Sequence, residues 1–183
     1  DYLLSVDNIT YEDGTIQKEG GSAHYNSTPV TGSPTITGGF DWFPTTGLQF
    51  MVIHTSTGFI YEDTSNDAGF PVTMASGLNP TSALPVYIEG GLETAAGNRK
   101  LFMIDGVNAP LCATALGTAS ALSAPATDWT LGNQPNTGCI HKSRVWLAAG
   151  HRVYYSTAAN QEDFTDVTNA GSIQVYPGVG TKI

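Results

Sequence analysis

The sequence predicts an all-β chain of antiparallel, propeller-like blades, and three observations carry that expectation. Only 13% of its 183 residues are charged, while Gly (21) and Pro (10) are plentiful, a composition suited to short strands joined by turns and not to amphipathic helices. Short apolar runs rich in β-branched and aromatic residues flank Gly-containing turns, which is the signature of β-hairpins. Finally, the hairpins recur. Aligning Met51, Phe102 and Trp146 gives intervals of 102 − 51 = 51 and 146 − 102 = 44 residues, within the roughly 40–50 residues of propeller blades. A β-sandwich or barrel also has short, turn-separated strands and stays open as the alternative.

The last hairpin is the clearest. Val145-Trp146-Leu147-Ala148 is followed by a turn at Ala149-Gly150-His151 and a second run, Val153-Tyr154-Tyr155-Ser156. A polar loop leads to Phe164, expected to pack back onto the hairpin, and Ser172-Ile173-Gln174-Val175-Tyr176 alternates as a further strand. Trp146 is expected to be mostly buried. Upstream, Phe50-Met51-Val52-Ile53, Thr57-Gly58 and Phe59-Ile60-Tyr61 repeat the pattern, ending in a loop at Phe70. So do Leu101-Phe102-Met103-Ile104, Asp105-Gly106 and Ala109-Pro110-Leu111-Cys112, with a loop reaching Trp129. The chain thus reads as one β-rich region, 1–183, with blade-like repeats near 48–70, 99–129 and 143–176 and a strand-and-loop lead-in over 1–47. Within that lead-in Asp13-Gly14 reads as a turn, residues 31–39 as a loop, and Trp42-Phe43-Pro44 as an aromatic cap. Residues 113–127, rich in Ala, Ser and Thr, read as a linker or a loose strand and loop. Both ends look cut from a longer protein.

The segment Arg144-Val145-Trp146-Leu147-Ala148-Ala149-Gly150, Val153-Tyr154-Tyr155-Ser156, Glu162-Asp163-Phe164 and Gly171-Ser172-Ile173-Gln174-Val175 resembles one found in tailed-bacteriophage tail proteins. These are the propeller-bearing nozzle and hub components of short-tailed phages. Asp13-Gly14-Thr15-Ile16-Gln17-Lys18-Glu19-Gly20-Gly21 is similar to the opening that precedes their first blade. Gln161 stands where a Pro is common there, and Lys18 near an expected Arg. The resemblance implies a structural virion protein of the phage tail, forming part of the conduit for DNA ejection. It would work in a homo-oligomeric ring with neighbouring tail or connector subunits, and DNA would pass without specific binding.

Charge and motifs fit a non-enzymatic role. A net charge of −9, from 16 acids and 7 bases, argues against a phosphate-tracking nucleic-acid binder. Lys142, Arg144 and Arg152 fall near one hairpin and read as solvated turn charges. Cys112 and Cys139, too few for a disulfide scaffold or zinc site, read as free, buried thiols. Ser65-Asn66-Asp67-Ala68-Gly69-Phe70 partly matches the Asp-box turn of sialidase-like propellers, with Val72 at its Trp position. Glu62, Asp63, Asn66 and Asp67 lack the spacing of a Ca²⁺ loop. His24, His54, His141 and His151 occupy no zinc spacing, and neither G-x-S-x-G nor a P-loop occurs. Asp41, Glu89 and Glu93 are the carboxylates a glycosidase could draw on, but any acidic domain offers such pairs. No residue is therefore assigned as catalytic, cofactor-binding or metal-ligating, and no cofactor is implied. A carbohydrate-binding propeller, with Trp42, Trp129, Trp146 or the tyrosines as stacking platforms, is the second reading. A propeller glycosidase or lyase is the third. No run approaches the apolar length a membrane helix needs.

Overall fold

The computed structural model describes residues 9–12, 15–18, 30–45, 48–58, 60–62, 70, 72–78, 85–90, 99–113, 119–123, 125, 129–130 and 132–175. Among these the fold is all-β and antiparallel, without a helix. Strands β1 (Ile9–Glu12) and β2 (Thr15–Lys18) pair with Glu12 opposite Thr15, on either side of the Asp13-Gly14 read as a turn. Three four-stranded sheets follow. The first contains β3 (Ile36–Thr45), β4 (Leu48–Thr55), β5 (Ile60–Glu62) and β6 (Val72–Ala75). The second contains β7 (Val86–Gly90), β8 (Lys100–Ile104), β9 (Leu111–Ala113) and β10 (Ala119–Ala121). The third contains β11 (Thr137–His141), β12 (Arg144–Ala149), β13 (Arg152–Tyr155) and β14 (Gly171–Gln174). Within each sheet the strands neighbour one another in chain order, a simple meander.

Each sheet begins one strand before the corresponding repeat read from the sequence. Residues 36–39 are the start of β3 and not loop, and Trp42-Phe43-Pro44 continues that strand instead of capping it. Residues 119–121 in the Ala/Ser/Thr-rich segment supply the edge strand of the second sheet.

The turns between second and third strands explain the recurring glycines. Gly58, Gly106 and Gly150 take left-handed φ values of 76°, 77° and 60°, a conformation that costs glycine little. The β11–β12 turn is different. His141 pairs with Arg144, and the two residues between, Lys142 and Ser143, both have positive φ, 49° and 61°. That is a type I′ hairpin made without its preferred Asn-Gly.

Packing makes the second sheet the middle layer. Leu101, Met103 and Ala113 on one face join Trp42, Val52, Met74 and Leu78 of the first sheet's region. Phe102, Ile104 and Cys112 on the other face join Val145, Leu147, Ala149 and Tyr154 of the third. Alternate residues of β8 point to opposite faces, so a strand buried on both reads as an unbroken apolar run. Trp129 and Phe164 complete the second core, with ring centroids 5.0 Å apart, and Trp129 meets Tyr154 edge-on at 5.8 Å. Phe164 does fold back onto the last hairpin's inner face. A smaller cluster, Val30 and Ile53 with Met51 and Phe70, lies on the first sheet's far face.

The first strands of successive sheets lie side by side. Phe40 on β3 stacks on Tyr87 of β7, centroids 5.3 Å apart and 16° between planes. Between β7 and β11 glycine and isoleucine interlock twice. A methyl added to Gly90 would sit 1.6 Å from Ile140 Cδ1, and one added to Gly138 would sit 3.0 Å from Ile88 Cδ1. Each glycine leaves room for the isoleucine of the opposite strand.

Candidate functional site

Three places gather chemically distinctive side chains, and the largest is the outer face of the third sheet. On β12, Val145, Leu147 and Ala149 turn inward, so Trp146 turns outward. It pairs with Cys139 on β11 and Tyr155 on β13, and the Trp146 and Tyr155 rings lie 5.1 Å apart, tilted by 40°. Trp146 Nε1 donates to the His141 carbonyl at 3.1 Å. Ile173 and Val175 extend the face, about half exposed at 52% and 51%. The Arg144 guanidinium lies 5.4 Å from the Tyr155 ring centroid. Its Nη1 donates to the Ser156 carbonyl at 2.6 Å and to the Asn169 carbonyl. Aromatic and aliphatic surface beside a tethered cation suits adhesion: stacking, cation–π and dispersion contacts.

The second place is the end of the seam between the first and second sheets, where Thr37, His54, Asp105 and Asn108 gather. Asp105 Oδ1 accepts from the Val107 and Asn108 amides at 2.9 and 2.7 Å, and Oδ2 from Asn108 Nδ2 at 2.7 Å. The third is a cross-sheet ion pair, Lys100 Nζ to Glu162 Oε1 at 2.6 Å. Burial, reinforced by the Glu162 carboxylate, pushes the Cys112 thiol well above its ordinary pKa. That thiol is protonated and inert as a nucleophile at neutral pH.

Comparison with family models, with curated proteins and with solved structures gives no match.

Two of the three expected stacking tryptophans are sealed inside. Trp42 is fully buried, its Nε1 donating to the Arg99 carbonyl at 3.2 Å, and Trp129 is buried in the second core. Trp146, expected to be mostly buried in the hairpin, is half-buried on the outer face; strand alternation, not side-chain size, decides which face it takes. Both cysteines are free, but Cys139 is exposed on that same face, correcting the expectation of two buried thiols.

The three bases near the last hairpin do not form a patch. Arg144 opens β12 and is tied down by backbone carbonyls. Arg152 starts β13 at the hairpin's other end, donating to Ser172 Oγ at 3.0 Å, and Lys142 occupies the I′ turn. Glu89 pairs with Arg99 at 3.1 Å and Asp41 is exposed, while Glu93 lies outside the described residues. The same holds for His24, for Asp63 of the Ca²⁺-loop candidates, and for Asn66 and Asp67, which the Asp-box-like turn shares with them. Among the described residues no three His, Cys, Asp or Glu side chains gather as a metal site, and no helix is long and apolar enough to cross a membrane.

Ligand spacing alone leaves His54 without a role, although its position carries a signal. It follows Met51-Val52-Ile53 in one apolar run and falls in the same alternating register as Val52, whose side chain enters the core. The acid loop after β13, read only as polar, is held by its own carboxylates. Asp163 Oδ1 accepts from the Thr165 amide and hydroxyl and from the Asp166 amide, at 2.8, 2.8 and 3.2 Å. Asp166 Oδ1 accepts from the Thr168 and Asn169 amides at 2.7 and 3.1 Å. These bonds hold both carboxyls below the ordinary range.

Proposed function

We propose that the chain is a propeller-like part of a phage tail structural protein, of the nozzle, hub or connector type, acting through assembly and not catalysis. The observation that carries the reading is the side-by-side succession of first strands, β3 to β7 to β11, in three four-stranded meanders. Blades set radially about an axis bring their inner strands together in this way. The resemblance of residues 144–175 to tail-protein blades supplies the biological setting. On this reading the interlocked sheets are a rigid body, the chain works in a homo-oligomeric ring with other tail subunits, and DNA passes without being held. The dispersal of Lys142, Arg144 and Arg152 favours that last point, since affinity for DNA grows with the number of phosphates neutralised together.

The test is to purify the particles of a phage encoding the chain, identify it there by mass spectrometry, and locate it by antibody labelling in electron micrographs. Label at the tail supports the proposal; a chain missing from intact particles refutes it. The isolated protein is expected to show no measurable duplex-DNA binding at about 150 mM salt, and a steep salt slope would contradict the passive-conduit role.

The Trp146–Tyr155 pair favours glycan binding as a second reading, because half-exposed aromatic faces stack on sugar rings. Glycan-array binding abolished by Trp146→Ala would establish it.

A further inference from the structure

His54 is a buried base with one nitrogen engaged and the other bare. It lies near the end of β4, on the face that meets the second sheet, and is 1% exposed. Its Nδ1 is 2.6 Å from Thr37 Oγ1, and the Thr37 hydroxyl reaches the His54 carbonyl at 3.3 Å. With that hydroxyl donating to the carbonyl, Nδ1–H donates to Thr37 and Nε2 carries the lone pair of a neutral imidazole. Nε2 is buried without a hydrogen-bond partner.

Among the described residues the surroundings offer one counter-charge, Asp105, and it is already in use. Across the seam the titratable groups are Asp105, just past the end of β8, and Tyr87 on β7, whose phenol burial keeps un-ionised. On the first sheet, Asp41 of β3 is exposed, and β5 sets Ile60 opposite His54. The Asp105 oxygens hold the turn that leads from β8 toward β9. Asn108 Nδ2 also lies 3.4 Å from the Gly77 carbonyl, tying that turn to the loop after β6.

We propose that His54 makes the seam between the first and second sheets acid-sensitive, because a proton taken up at Nε2 loosens both the 105–108 turn and the packing of β4 on β8. The new N–H and its charge have two ways to be satisfied. They draw the Asp105 carboxylate away from its turn, or they admit water between the sheets. Either route weakens the same contact. Burial holds the His54 pKa below its ordinary 6.5, with Asp105 opposing the shift. The folded state therefore prefers the neutral ring. Its stabilising contribution is complete above about 6.5 and is lost as pH falls from there through the lower folded value.

The test follows the wild-type chain by NMR from pH 8 to pH 4, reading the ¹⁵N shifts of the His54 ring and hydrogen exchange, corrected for intrinsic rate, at 101–108. His54 is expected to titrate below the ordinary value, and the Val107 and Asn108 amides to lose protection at the same midpoint. In His54→Gln, which cannot titrate, that midpoint should disappear. A ring that titrates while 101–108 stay protected, or an unchanged acid transition in His54→Gln, overturns the proposal. Should the variant fail to fold, the wild-type titration decides alone.

Discussion

Replacing Gly90 by alanine would place a methyl carbon 1.6 Å from Ile140 Cδ1 and 3.1 Å from its Cγ1. The first distance is a clash and the second is tight, so the Ile140 side chain must leave its rotamer or β7 and β11 must separate. Overpacking of a filled site typically costs about 1–3 kcal/mol. Ile140→Val removes the atom at 1.6 Å and alone costs about 0.5–1.5 kcal/mol. Combined, the two changes should cost less than their sum, because the shortened side chain vacates the space the methyl needs. The saving is a coupling energy of about 1 kcal/mol, within the range for residues in direct contact. Urea denaturation of the wild type, both single variants and the double variant measures it. Additive single effects would mean that the interlock does not set the distance between the two sheets. Gly138→Ala should be the harsher change, since its methyl would also meet the Trp146 carbonyl oxygen at 2.6 Å, and backbone cannot rotate away.

Trp42→Ala should cost about 3–5 kcal/mol, as for a large buried side chain, and Trp146→Ala clearly less; equal losses in chemical denaturation would contradict the assigned faces. The β11–β12 turn should gain stability, about 1 kcal/mol or more, from Lys142→Asn with Ser143→Gly, the residues a type I′ turn favours; a lowered melting temperature would count against that turn. Arg144→Met should deprive the 157–170 loop of its anchor at Asn169, and hydrogen exchange there should quicken while the inner strands keep their protection. Asp163 and Asp166 act in acid. Their pKa values are depressed in the folded chain, so the stability they give is present above about 3.8 and lost as pH falls below it. Loosening of the Thr165–Asn169 amides below pH 4 checks this.

Much of the fold was legible because the middle strands are apolar and their turns are marked by glycine. Leu101-Phe102-Met103-Ile104 and the hairpin from Arg144 announce themselves. The first strand of each sheet did not. Glycine in a strand reads as a turn or break, yet Gly90 and Gly138 occur where two strands approach too closely for a side chain. The feature that hid β7 and β11 is thus the one that packs them. Burial of individual aromatics was also beyond a single sequence. Trp42 and Trp146 sit in similar local company, and only the presence of a second sheet over one of them separates their fates. The same limit applied to His54, whose environment includes Asp105, some fifty residues away.

The middle sheet has a consequence for how the chain comes to be folded. Every β8 residue from Leu101 to Ile104 is covered by a neighbour, so the centre of this meander has no wettable side of its own. Its hairpins close quickly, in microseconds by general experience, but the product is an oily slab until both flanking sheets have docked. Docking, not pairing, then becomes the slow and vulnerable stage. A nascent chain released after about residue 125 would present Phe102, Ile104 and Cys112 to any other chain nearby. Aggregation during synthesis should therefore be governed by the interval between completion of the second meander and arrival of the third.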